Sequence, residues 1–151
     1  RSDYEVITIC DDRILSVIAP SYPYRVGPED PEFDRVETTI FELEIPGRAW
    51  GNWDTFCLHN NIPFLSSCTK VSFSNYINLI NATKSGHGVG LVWERSIAQE
   101  LEDGQLMSLG CCQAPWPHGV CAYLPNRSKN TKKGKIAREI VEWVADALSN
   151  G

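Results

Sequence analysis

The chain has no long apolar run, little positive charge and a single methionine. Each shortage excludes something. A helix that crosses a bilayer needs roughly 20 consecutive apolar residues, and the sequence offers no such stretch. Lys and Arg number 14 against 19 Asp and Glu, a net charge of −5. A surface that binds nucleic acid must cluster basic residues to neutralise phosphates. The one basic cluster, Lys129 to Lys135, is short and reads as a solvated loop beside a helix start. No charged n-region, apolar h-region and cleavage site opens the chain. Arg1 stands where an initiating methionine would, as in a processed chain or a piece of a longer one. G-x-S-x-G, H-E-x-x-H and Walker loops are also missing.

What is present is an ordinary globular composition, 42% hydrophobic and 22% charged, which argues against disorder. A length of 151 residues allows one domain or two small lobes. Cys10, Cys57, Cys68, Cys111, Cys112 and Cys121 make an even set. Several lie in apolar contexts, where a free thiol acts as a small hydrophobe. Without a signal peptide, reduced thiols and a cytoplasmic location are expected.

Along the chain, residues 4–10 suit a strand, Asp11-Asp12 a turn, and Ile14 to Ala19 a second apolar run. Pro20, Pro23, Pro28 and Pro31 make the next segment a loop. Ile40 to Ile45 predicts a strand stopped by Pro46-Gly47. Trp50, Trp53 and Cys57, at i, i+3 and i+7, predict a helix to Leu58 that Asn60-Asn61-Ile62-Pro63 ends. Ser74 is placed to cap a helix from about Asn75 to Ser85, with Gly86 at its left-handed C′ position. Val89-Gly90-Leu91-Val92 suits a central strand covered on both faces. Ser96-Ile97-Ala98-Gln99 matches a capping box for a short helix ending at Gly104. Leu106 to Leu109 returns as a strand, Cys111 to Pro117 as an irregular crossing, and Val120 to Leu124 as the last strand. Ile136, Ile140, Trp143, Val144 and Ala147 form one face of a closing helix over about Lys135 to Leu148. Strands alternating with helices imply an α/β fold with largely parallel pairing.

Candidate chemistry is sparse. Gly86-His87-Gly88-Val89-Gly90 runs from helix to strand, the reverse of a phosphate-binding loop. Cys111, Cys112, His118 and Cys121 do not follow a familiar zinc spacing. Acidic pairs such as Glu29-Asp30 sit at turns and read as solvated. The feature that remains is Ser74-Asn75-Tyr76 at a helix start, where free N–H groups, a hydroxyl and an amide suit a polar or anionic ligand. The competing account is an ordinary cap with a packed tyrosine.

In order, these motifs resemble the effector-binding domain of LysR-type transcriptional regulators. The resemblance rests on Ser74 to Leu106, with Gly86-His87-Gly88-Val89 and Glu100-Leu101-Glu102-Asp103-Gly104-Gln105-Leu106. Leu15 to Pro20 with Tyr22, and Ala137 to Leu148 with Trp143, support it. Trp50-Gly51-Asn52-Trp53 is similar to the helix of the subgroup that contains the glycine-cleavage and β-lactamase regulators. Trp93-Glu94 departs from the proline common after the G-x-G strand.

The resemblance implies a fold like that of type 2 periplasmic binding proteins, with Rossmann-like lobes. Residues 1–12 would end the first-lobe portion, 13–110 would form the second lobe, and 111–151 would be the returning strand and C-terminal helix of the first. The winged helix-turn-helix, the linker helix and the opening half of lobe one would lie outside this chain. A small polar or anionic effector would sit against Ser74, Asn75, Tyr76 and Trp93 of lobe two and Tyr123 of lobe one. No cofactor, metal or catalysis is implied. DNA would be met through the helix-turn-helix, and the protein would be a homo-oligomer. A solute-binding protein of a transport system shares the architecture, and a metal-dependent enzyme using Cys111 to Cys121 is a further alternative.

Overall fold

The structure, a computed structural model, describes residues 3–35, 37–44, 52–128 and 130–149. Five strands and four α-helices lie within them: β1 Tyr4–Ile18, β2 Thr39–Leu43, α1 Trp53–His59, β3 Thr69–Phe73, α2 Tyr76–Lys84, β4 Val89–Trp93, α3 Ala98–Asp103, β5 Met107–Pro125 and α4 Lys132–Ser149. Short 3₁₀ turns occupy Pro31–Asp34, Glu94–Ile97 and Asn126–Ser128. Contacts divide the chain into two compact units, Arg13–Ala114 and Arg1–Asp12 with Pro115–Gly151.

The sheet of the 13–114 unit has the strand order β3-β2-β4-β1-β5. β2 pairs in parallel with β3 and with β4, and β1 pairs antiparallel with β4 through Ile14↔Trp93 to Val17↔Gly90. Pairing is therefore mixed where largely parallel strands were expected. β4 is central and its first four residues are buried, as its unbroken apolar run requires. One core gathers Leu15, Val17, Phe41, Leu79, Ile80, Val92, Ile97 and Leu106. Gly90 lets α2 approach closely, since a Cβ there would lie 2.5 Å from the Thr83 hydroxyl. Gly86 has φ +82 just beyond α2, the left-handed stop expected of it. Trp53 donates its ring N–H to the Phe41 carbonyl at 2.9 Å, and its backbone N–H meets the buried Glu42 carboxylate at 3.0 Å. A carboxylate there also favours the dipole of α1.

The other unit holds the first part of β1, the last part of β5 and α4. Asn126 N–H donates to the Asp3 carbonyl at 2.9 Å, and Arg138 pairs with Glu5. Thr131 Oγ1 accepts from Gly134 N–H at 3.0 Å, so α4 starts three residues before the expected Lys135. Ile136, Ile140 and Trp143 on α4 are exposed, Trp143 at 71%.

Several local expectations are corrected. Asp11-Asp12 does not turn the chain; β1 runs through both, with Asp11 outward and Asp12 buried. Ladder pairing overrides the local turn preference of aspartate. Cys111 to Pro117 is not an irregular crossing but part of the continuous β5. β5 lies at the end of the strand order, where proline's missing donor is tolerated, and Gly110 within it takes a positive φ of +75. β3 carried no apolar signal because it is an edge strand, with only Val71 and Phe73 half-buried. The expected roles of Trp50, of Ile45 and of the Pro46-Gly47 stop fall outside the described residues.

Leu79 is fully buried and central to the core. Leu79→Ala should cost about 2–5 kcal/mol, seen as a lower urea midpoint with an unchanged slope.

Candidate functional site

β2, β3 and β4 run in the same direction, so Leu43, Phe73 and Trp93 bring their C-terminal ends to one edge of the sheet. α2 starts at that edge. Ser74 follows β3 and is exposed. Asn75, not Ser74, is the cap: it is extended (φ −125, ψ 122) and its side chain accepts from Asn78 N–H at 3.2 Å. The amide oxygen reaches the free N–H groups of the first turn from this position.

Tyr76 and Trp93 face each other across the edge with ring centroids 4.9 Å apart. The Tyr76 hydroxyl accepts from Trp93 N–H at 3.0 Å and lies 2.6 Å from Ser96 Oγ. Ser96 Oγ in turn donates to the Trp93 carbonyl at 2.7 Å. A serine hydroxyl carries one proton, so the 2.6 Å bond must be donated by tyrosine. The result is a closed ring from Trp93 N–H through Tyr76 and Ser96 back to the Trp93 carbonyl. This explains why Ser96 does not open a capping box. Its hydroxyl serves the ring, a 3₁₀ turn intervenes, and α3 starts without a side-chain cap.

Glu94 follows Trp93 directly. Its carboxylate takes both prongs of Arg13 at 2.7–2.9 Å, and Arg13 Nη1 reaches Gln113 Oε1 at 2.6 Å. Ser74, Asn75, Tyr76 and Trp93 are thus brought together at one edge. Tyr123 lies on β5 in the other unit and is 59% exposed. Ser96, Glu94, Arg13 and Gln113 were missed by sequence reasoning. Apart from the bond of Ser96 to the Trp93 carbonyl, their partners are 20 to 100 residues away, and no local pattern marks them.

A hollow of about 250 Å³ is lined by Glu29, Asp30, Asp34 and residues 60–65. Its carboxylates brace loops. Asp30 caps Glu32 N–H, Asp34 accepts from Ser67 N–H, and Glu29 accepts from Cys111 N–H, all at 2.9 Å. Burial opposes ionisation of Glu29, but bonds from its own N–H and from the Cys111 N–H and thiol outweigh it and hold the carboxyl below its usual range. Among the described residues no group of His, Cys, Asp and Glu is arranged to hold a metal, and no helix is long and apolar enough to cross a membrane.

An α/β chain with a sheet edge of this kind fits the class of ligand-sensing domains. The sequence matches the LysR substrate binding domain over residues 1–149, and the chain belongs to that family. Its fold is similar to the effector domain of AmpR from Pseudomonas aeruginosa (TM-score 0.71, 13% identity, covering 100% of this chain and 70% of that one). It is also similar to a mutant regulatory domain of HypT from Salmonella typhimurium (0.68, 16%, covering 95% and 69%). Full-length HypT, a hypochlorite-specific LysR-type regulator, gives 0.60 at 17% identity, with 97% of this chain matched to 48% of that one. No curated protein matches the sequence.

Tyr76→Phe removes two bonds of the Trp93 ring and should lower stability by about 1 kcal/mol, measurable by chemical denaturation. Among the described residues no cysteine is joined in a disulfide. Burial, then Asp54, pushes the Cys57 thiol up to about 11; burial, then Asp34, pushes Cys68 up to about 12. Unfolded thiols ionise near 9, so the unfolded chain releases these protons first. The thiols' contribution to stability is complete below that pH and is lost as pH rises through the folded values. Iodoacetamide at pH 8 should label exposed Cys111 well before Cys57 and Cys68, and the denaturation midpoint should fall above pH 9.

Proposed function

We propose that this chain senses a small polar or anionic effector for a LysR-type transcriptional regulator, with Ser74, Asn75, Tyr76 and Trp93 forming one wall of the site and Tyr123 belonging to the other lobe. The observation that carries the proposal is the shared edge of β2, β3 and β4. It presents the exposed Ser74 and the start of α2 beside the Tyr76–Trp93 pair. Backbone N–H groups at a helix start favour an anionic or polar group, and the aromatic pair supplies an apolar flank. Residues 13–110 act as the second lobe, and residues 1–12 and 111–151 belong to the first. The role is sensing, not catalysis.

The net charge of −5 supports a division of labour in which a separate helix-turn-helix contacts DNA. The protein works as a cytoplasmic homo-oligomer of the AmpR-like subgroup, and effector binding biases how its subunits pack. Asn75 and Tyr76 already bond within the unit, so Ser74 is the polar group best able to turn to a ligand.

The test begins with a thermal-shift screen of amino acids, short peptides and small carboxylic acids. For the compound retrieved, Ser74→Ala should weaken binding by calorimetry about tenfold, or ~1.4 kcal/mol, with the melting temperature of the free protein unchanged. Unaltered affinity in both Ser74→Ala and Tyr123→Phe would remove the assignment.

A further inference from the structure

We infer that Arg13 is a positioning residue that links the Trp93 edge to both strands by which the chain leaves the 13–114 unit. Arg13 is the first residue of that unit, on β1, and Gln113 is the last but one, on β5. Nothing in the local sequence pairs them. The Arg13 guanidinium holds Gln113 with one nitrogen at 2.6 Å and grips the Glu94 carboxylate with the other two at 2.7–2.9 Å. A planar guanidinium meeting a carboxylate in this way fixes direction as well as distance. Three chain segments that are remote in sequence are thereby bolted at one point.

Glu94 joins this bolt to the candidate site. It is bonded covalently to Trp93, whose N–H and carbonyl are both held in the ring made by Tyr76 and Ser96. A displacement of Tyr76 or Trp93 therefore moves the Glu94 carboxylate, and through Arg13 it pulls on β1 and β5 together. The inference rests on Tyr76 and Trp93 being an effector wall, but it can be measured without any ligand.

The experiment is amide hydrogen exchange by mass spectrometry on the whole chain, following peptides across residues 9–18 and 108–118 with peptides of α1 and β2 as internal reference. Glu94→Ala should speed exchange in both strand peptides about three- to fivefold, the scale of a well-aligned exposed pair, although residue 94 is in neither. Arg13→Lys should do the same, because a lysine keeps the charge and loses the fork. In the unsubstituted protein, exchange in both peptides should rise from low to molar salt as the pair is screened, and Glu94→Ala should abolish that salt dependence. Tyr76→Phe should speed exchange in the two strands only while Arg13 and Glu94 are intact.

Exchange that changes only around residue 94, or an undiminished Tyr76→Phe effect in the Glu94→Ala background, would overturn the link. So would salt-independent exchange of the unsubstituted strands. Those outcomes leave the Ser74 affinity test untouched, and failure of that test leaves the link standing.

Discussion

Burial of β4 on both faces is the constraint on which the 13–114 unit depends. A strand with no solvent face must be apolar throughout and needs neighbours on both sides. β2 supplies the parallel neighbour and β1 the antiparallel one. α2 covers one face, and the missing side chain at Gly90 lets Thr83 come close. Once β4 is parallel to β2, and β2 to β3, the β3-α2-β4 path is a crossover. Strand ends and the helix start then fall on the same edge of the sheet. The candidate site is a consequence of that packing.

The same edge is tied to neighbouring elements by side-chain bonds. Backbone groups at the end of β4 are held by two side chains, from α2 and from the turn before α3. The next residue is held by an arginine at the point where β1 enters the unit. Polar groups that satisfy one another in this way form a discrete arrangement, and a ligand that competes for one of them must disturb the others.

Much of this was legible before the fold was known. The apolar run at residues 89–92 announced the central strand. Gly86 announced the end of α2, and Gly104, at φ +76, the end of α3. Each signal lives within one turn or one short run, where backbone sterics and burial act directly. The order of the motifs then pointed to the family. Less legible were β3, whose edge position permits a polar sequence, and the continuity of β1 through Asp11-Asp12 and of β5 through its prolines. In each case pairing with a neighbouring strand overrode a local preference.

The site divided in the same way. Ser74, Asn75 and Tyr76 were visible because a helix start has a local chemical signature. The cap fell on Asn75 because only the three-dimensional path of the chain brings its amide to the Asn78 N–H. Apolar faces and helix stops depend on neighbours a few residues away, and the charge on composition alone, so all three can be read along the chain. The meeting of the Tyr76 hydroxyl with Trp93 and Ser96, and of Arg13 with Glu94 and Gln113, follows from the three-dimensional fold. Those bonds join positions 17 to 100 residues apart, and folding alone brings such groups within reach.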